Sequence, residues 1–116
     1  MKELFASVGW ESANDADNLV KALKKSSHVI SVWDGNKLVG LIRSMDDGCW
    51  SANIDCLLVH KKYQSRGIAK QLLSEMLGDL KEVKYINVCP DHKDVLALYI
   101  NMGFKIVNGY FLQKQN

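Results

Sequence analysis

The sequence predicts an α+β fold with a central mixed, mostly antiparallel sheet flanked by helices. Three observations carry that prediction. Apolar residues recur at helical spacing near the start, β-rich runs joined by turn residues follow, and from Ile68 the period changes to open a strand–helix–strand crossover.

In "MKELFASVGW", Leu4, Phe5 and Val8 are spaced for one helical face. A second helix over "DADNLVKALKKS" places Ala16, Leu19, Val20 and Leu23 together. "HVISVW" and "LVGLIRS" are β-rich and flank "DGNK", whose residues suit a tight turn, so the two runs read as a hairpin. "DDG" then turns the chain into a longer strand, roughly Cys49 to Val59. Beyond it Ile68, Ala69, Leu72, Leu73, Met76, Leu77 and Leu80 form one apolar stripe about 100° wide, the mark of a helix packed on a sheet. "VKYINVC" reads as a short buried strand ended by Pro90 and Asp91. In "DVLALYINMG", Val95, Leu98, Tyr99 and Met102 share a face, and Gly103 suits the position just past a helix end. "FKIV" and "YFLQK", separated by "NG", are expected to close the chain as a hairpin.

A chain of 116 residues is long enough for one core and too short for two, so residues 1–116 read as a single domain. Hydrophobic residues make up 47% and charged residues 24%, as in ordinary globular chains. The net charge of +2 is far from the basic excess of a nucleic-acid binder, so no nucleic acid is expected as partner. No apolar stretch approaches the ~18 residues that span a bilayer, and the start lacks a signal-peptide pattern, so no membrane partner is expected either. Cys49, Cys56 and Cys89 are odd in number and widely spaced, which fits neither a disulfide framework nor a zinc site. No metal is expected, and reduced thiols in a cytoplasmic protein are the plain reading.

One junction carries chemistry. In "VHKKYQSRGIAKQLLSEML", positive charge crowds around Gly67 where the strand gives way to the helix. The first amides of a helix lack intrahelical partners and sit at the positive end of its dipole, so they attract an anion. A glycine there lets an anion approach bare backbone. Neither a P-loop nor a dinucleotide-binding glycine pattern is present. Taken alone, the glycine is as well explained by simple punctuation before a helix.

"QSRGIA" has the form Q/R-x-x-G-x-G/A and resembles the pyrophosphate-binding signature of the GCN5-related N-acetyltransferases, the GNAT family. "LALYINMGFKI" is similar to that family's second landmark, a helix bearing a tyrosine and ending in G-F. "SSHVISVWDGNKLVGLIRSMDDG" resembles the hairpin that precedes the long strand in small members. The resemblance implies acetyl-CoA as the acyl donor, with its pyrophosphate on the amides of Gln64, Ser65, Arg66, Gly67, Ile68 and Ala69. Arg66 and Lys70, with Lys61 or Lys62, could meet phosphate oxygens; solvated surface charges are the competing reading for each lysine. Leu58 and Val59 match positions whose backbone pairs with the pantetheine arm, where the long strand splays from the next. A bulge there would free an amide for the thioester carbonyl.

The implied reaction is direct acetyl transfer to a primary amine of a small molecule, in a ternary complex. Tyr99 matches the family's general acid, against the plainer role of a core residue on a helix stripe. Asp55 is the candidate base. It would share one strand face with Asn53, Leu57 and Val59 if the strand is regular, and an ion pair with Arg43 is its competing role. His60 is a second candidate base, although a histidine at a strand end is usually solvated. Cys89 lacks the partner base that a nucleophilic thiol needs. Trp10, Trp33 and Trp50 could line an amine pocket, with burial the default for each. A domain that binds acyl-CoA without catalysis is the rival class.

Three departures from the family pattern stand out. His92 occupies a place where an asparagine often contacts the cofactor, and Lys61 one where a proline is common. The family's opening strand has no counterpart before "MKELFASVGW". The member is then naturally short or starts upstream. Without that strand "HVISVW" is an exposed edge, and either a second copy pairs with it in a homodimer or the N-terminal segment covers it.

Overall fold

The computed structural model describes residues 3–4, 15–90, 93–107, 109 and 112–116. Its elements are α1 (Ala16–Lys25), β1 (His28–Asp34), β2 (Lys37–Asp46), β3 (Ser51–Val59), a 3₁₀ turn (Lys61–Tyr63), α2 (Ile68–Asp79), β4 (Tyr85–Val88) and α3 (Lys93–Asn101). Glu3 and Leu4 are helical. The remainder of the first expected helix, with Phe5, Val8 and Trp10, lies outside the described residues, and so do Asp91 and His92.

The strands form one sheet in the order β1-β2-β3-β4. β1 and β3 flank β2 antiparallel, while β4 runs parallel to β3, with α2 as the crossover between them. That is the mixed sheet expected. Consecutive residues of a strand point to opposite faces, so Leu41 and Ile42 mark two separate cores. On one face Ile42, Ala52 and Ile54 pack with Leu72, Leu73, Met76 and Leu80 of the second helical stripe and with Tyr99 of α3. On the other, Leu41, Leu38 and Leu58 meet Leu4, with Leu19 and Leu23 of α1 alongside. Each fully buried leucine contributes about 1.5–3 kcal/mol. Asp17 in the first turn of α1 and Lys24 and Lys25 in its last turn complement the helix dipole. Val20 is exposed, so the apolar face of α1 is narrower than the sequence pattern implies.

Gly40 sets how closely α2 lies on β2. A Cβ at Gly40 would stand 3.2 Å from Ile68 Cγ2 and 3.2 Å from Leu72 Cδ1. A side chain there would press these two side chains back by a few tenths of an ångström, so the bare backbone of Gly40 favours the close approach of α2 to the sheet.

Two expectations are corrected at the end of the chain. Of the hairpin expected over "FKIV" and "YFLQK", residues 108, 110 and 111 lie outside the described residues; the described parts, 104–107 and 112–116, contain no strand, and Ile106, Val107 and Leu112 are exposed. β-propensity and an "NG" turn are local signals, whereas a strand needs a partner and a surface to cover. β4 is consequently an edge of the described sheet and only half buried. Ile86 and Val88 pack inward while Tyr85 and Asn87 face out.

Candidate active site

β3 is not a regular strand. Its register with β2 runs Gly40↔Val59 and Leu41↔Leu58, then shifts to Arg43↔Asp55. Three steps along β3 therefore match two along β2, and Cys56 and Leu57 together oppose Ile42. This is a β-bulge. Cys56 absorbs the extra residue with a left-handed φ of 56°, a strained conformation for a side chain other than glycine. The bulge overturns the expectation that Asn53, Asp55, Leu57 and Val59 share a face. Leu57 instead joins the core of Ala52 and Ile54, and Cys56 joins that of Leu58. Burial drives the Cys56 thiol up to about 12, helped by the Asp55 charge, so it stays a neutral thiol.

The bulge also marks where the sheet opens. β3 and β4 pair from Ser51↔Tyr85 to Ile54↔Val88 and no further. From Asp55 to Val59 the outer edge of β3 has no partner strand among the described residues. Leu58 and Val59 are buried, at the end of β3 farthest from its pairing with β4.

Asp55 and Tyr99 flank the gap from opposite faces of the sheet. Tyr99 is only 2% exposed and belongs to the α2–α3 core. Its motif has a direct structural cause. Gly103 adopts a left-handed φ of 99°, its amide reaches Ile100 O at 3.1 Å, and the Phe104 amide reaches Tyr99 O at 3.0 Å. That is a Schellman cap, completed by edge contact of the Tyr99 and Phe104 rings at 5.1 Å. Burial first, and the Asp55 charge second, push the Tyr99 phenol up to about 12. No described group hydrogen-bonds its hydroxyl. Asp55 lies on the α1 side, in a bidentate pair with Arg43: Nε to Oδ1, and Nη2 to Oδ2 at 3.0 Å. The guanidinium is held further above its ordinary range, chiefly by the hydrogen bond to Asp55.

After Val59 the chain makes the loop expected to hold an anion. His60 is buried, not solvated as a strand-end histidine would be. Its amide bonds Val39 O at 2.7 Å, and its Nδ1 accepts the Lys62 amide at 3.2 Å, shaping the 3₁₀ turn. Gln64 Nε2 reaches back to Val59 O at 3.0 Å and ties the loop to the strand end. Ser65 at φ 66° and Gly67 at φ 81° are both left-handed, and such changes of hand turn successive amides toward one side. Among the described residues, the amides of Arg66, Gly67, Ile68, Ala69 and Lys70 donate no hydrogen bond; Gln71 is the first to do so, to Gly67 O at 3.1 Å. A Cβ at Gly67 would meet nothing within 4 Å, so the space on that side of the glycine is open. The Arg66 guanidinium lies over the Tyr63 ring at 5.1 Å, and Lys37 approaches the same ring at 5.7 Å. Tyr63 in turn donates its hydroxyl to Asp34 at the β1–β2 turn.

Tyr63, and Ser26, whose Oγ accepts from Arg43 Nη1 at 3.3 Å, are the positions that sequence reasoning missed. Tyr63 sits in "KKYQSRG", where an aromatic between cations was the available signal; nothing in the sequence points to Ser26. Trp33 and Trp50 are each 57% exposed, against the default of burial. Trp50 belongs to a surface group with Tyr85 and Lys84 at the far end of β3 and β4, away from the gap. Cys89 is exposed. A serine, a histidine and an aspartate also meet elsewhere, but Ser44 Oγ at 3.3 Å and Asp46 Oδ1 at 3.1 Å reach the same nitrogen of His28, so they form no relay. Among the described residues no group of three or more His, Cys, Asp or Glu could hold a metal ion, and no helix is long and apolar enough to cross a membrane.

A bulged strand unpaired on its outer edge beyond Ile54, leading into a helix whose first amides are free, sits in a mixed sheet with the fold of the GNAT acetyltransferases. The chain belongs to the GNAT acetyltransferase family: the family's model, described as an acetyltransferase (GNAT) domain, matches residues 5–114. The structure is similar to a GNAT family acetyltransferase of Streptococcus pneumoniae TIGR4, with a TM-score of 0.78 and 30% identity over 97% of this chain and 87% of that one. An uncharacterized N-acetyltransferase, ycf52-like, of Prochlorococcus marinus is 33% identical over 91% of this chain and 61% of its own length. The corresponding ycf52 protein of Porphyra purpurea is 29% identical over 90% of this chain and 62% of its own length. The chain thus spans about three-fifths of the length of these curated relatives.

Proposed function

We propose that this domain transfers the acetyl group of acetyl-CoA to a primary amine of a small molecule, directly, with both substrates bound. The observation that carries the reading is the run of undonated amides from Arg66 to Lys70, beside a left-handed Gly67 with open space on its Cβ side. Five adjacent donors at a helix N-terminus suit a pyrophosphate. Arg66 and Lys70 are exposed beside them and could add charge. His92, outside the described residues, remains a candidate cofactor contact on the family likeness alone.

When bound, acetyl-CoA supplies an activated acetyl thioester. Leu58 and Val59 would offer their backbone to its arm along the unpaired edge of β3. The bulge leaves Cys56 and Leu57 outside the regular ladder, where an amide could polarise the thioester oxygen. Asp55 would take a proton from the attacking amine, directly or through water, while Tyr99 serves the leaving sulfur. With its pKa near 12, the phenol is fully protonated at neutral pH. So tight a hold favours donating a hydrogen bond as the C–S bond breaks over releasing the proton early.

The test measures thiol release from acetyl-CoA with phenethylamine, spermidine, glucosamine and lysine ethyl ester, alongside calorimetry with CoA. Amine-dependent release is expected. The rival reading, a non-catalytic acyl-CoA sensor, draws on the engagement of both Asp55 oxygens by Arg43. Tight CoA binding without release for any amine would favour it.

A further inference from the structure

The grip of Arg43 on Asp55 has a geometry that a stabilising surface pair does not require. Exposed ion pairs contribute little, yet this guanidinium is held at three points. Two of its nitrogens take the carboxylate edge-on, and Nη1 donates to Ser26 Oγ at 3.3 Å. Ser26 is itself fixed. It closes α1, with its amide on Leu23 O at 3.2 Å and its hydroxyl donating to Ala22 O at 2.7 Å. The end of α1 is thereby linked through Ser26 and Arg43 to the residue just before the β3 bulge.

The pair is also one-sided. The Arg43 side chain is 19% exposed and that of Asp55 53%, so the cation lies on the inner side and the carboxylate faces out. A carboxylate offers about four lone-pair sites. The bidentate contact uses two; the neighbouring Cys56 thiol interacts with the same carboxylate, and the exposed side of Asp55 leaves room for a further proton donor. Asn53 and Met45, two register rows away, are exposed on that same face.

We propose that Arg43 is a positioning residue for acetyl transfer: anchored on Ser26, it fixes the Asp55 carboxylate in one orientation, turned toward the acceptor amine beside the bulge. The inference rests on the reading of Asp55 as proton acceptor. It assigns Arg43 no contact with either substrate.

The test compares Asp55→Asn, Arg43→Gln, Arg43→Lys and the Asp55→Asn/Arg43→Gln pair, using the fastest amine of the four above. Arg43→Gln is expected to lower kcat by up to about 10²-fold, the scale of a misplaced catalytic group, with acetyl-CoA affinity unchanged. Arg43→Lys should recover only part of that loss, because an ammonium cannot reproduce the fork. In the double variant Arg43→Gln should add nothing to the loss from Asp55→Asn, the signature of a residue acting through another. Losses that multiply would overturn the proposal, and so would a lower melting temperature with normal kcat in the folded protein. If Asp55→Asn is slow while Arg43→Gln is not, this inference alone falls. If Asp55→Asn turns over normally, the assignment of Asp55 as base falls and takes the inference with it. Should Arg43→Gln fail to fold, Ser26→Ala releases the third arm, with a smaller, equally non-additive loss in kcat expected and an additive one overturning the proposal.

Discussion

Tyr99 is held by its neighbours before any chemistry is asked of it. Its carbonyl accepts in the Schellman cap and its ring meets Phe104, so "YINMGF" has a structural reason to exist apart from catalysis. The two roles separate on substitution. Tyr99→Phe keeps ring, cap and packing, and should leave CoA affinity unchanged while kcat falls about 10²-fold, the usual range for a lost general acid. Stopped-flow turnover with calorimetry on the same preparation checks both halves; near-normal kcat, with chemistry rate-limiting, would leave Tyr99 a core residue. The position of Tyr99 was legible because capping is local and spelled by glycine. The strain at Cys56 was not, since nothing in "IDCLLV" marks a left-handed residue.

At the scale of elements, the strand-to-helix junction was the most readable part of the chain. A glycine before an apolar 3.6-residue stripe announces a helix start, and Gly67 takes the left-handed conformation that explains the choice. A side chain at Gly67 meets no steric wall, so backbone strain and charge can be tested apart. Gly67→Asn, which tolerates that φ comparatively well, should retain most CoA affinity in calorimetry. Gly67→Asp should lose about tenfold or more by placing an anion where the phosphates would lie. Equal affinities in the two variants would place the anion elsewhere. The bulge in β3 was foreseen only as a device that family likeness suggests, because register belongs to a pair of strands and not to one.

For the whole molecule, the two buried acids make alkaline stability a sensitive quantity. Burial raises the Tyr99 phenol from an ordinary 10.0 to about 12, and the Cys56 thiol from 9.0 to about 12. Both hold their protons more tightly folded than unfolded, so their contribution is intact below about pH 9 and is lost as the pH climbs toward 12. Melting temperature should fall across that window, and Tyr99→Phe should flatten the decline; an unchanged slope would contradict the burial argument. The sheet has a second whole-molecule consequence. β1 has no outer partner among the described residues, and Val29 and Trp33 are exposed on one of its faces. A homodimer across this edge is the expected outcome at high concentration. Sedimentation of the parent beside Val29→Lys/Trp33→Lys tests it, since like charges brought face to face should shift the paired form toward monomer. A parent that remains monomeric would set the dimer aside.

The bulge at Cys56 has a consequence for how such a domain can change. A regular strand is one rigid alternation, and any insertion inverts every side chain beyond it. Here the alternation restarts at Cys56, so 51–55 and 57–59 keep separate phases with the same backbone between them. On the proposed reading the first stretch meets the amine and the second the cofactor. The outward positions 51 and 53 could then be exchanged for those of another acetyltransferase, with Ala52, Ile54 and Asp55 kept, altering acceptor preference while the coenzyme half stays in phase. Grafting those outward residues alone offers a compact route to new acceptors.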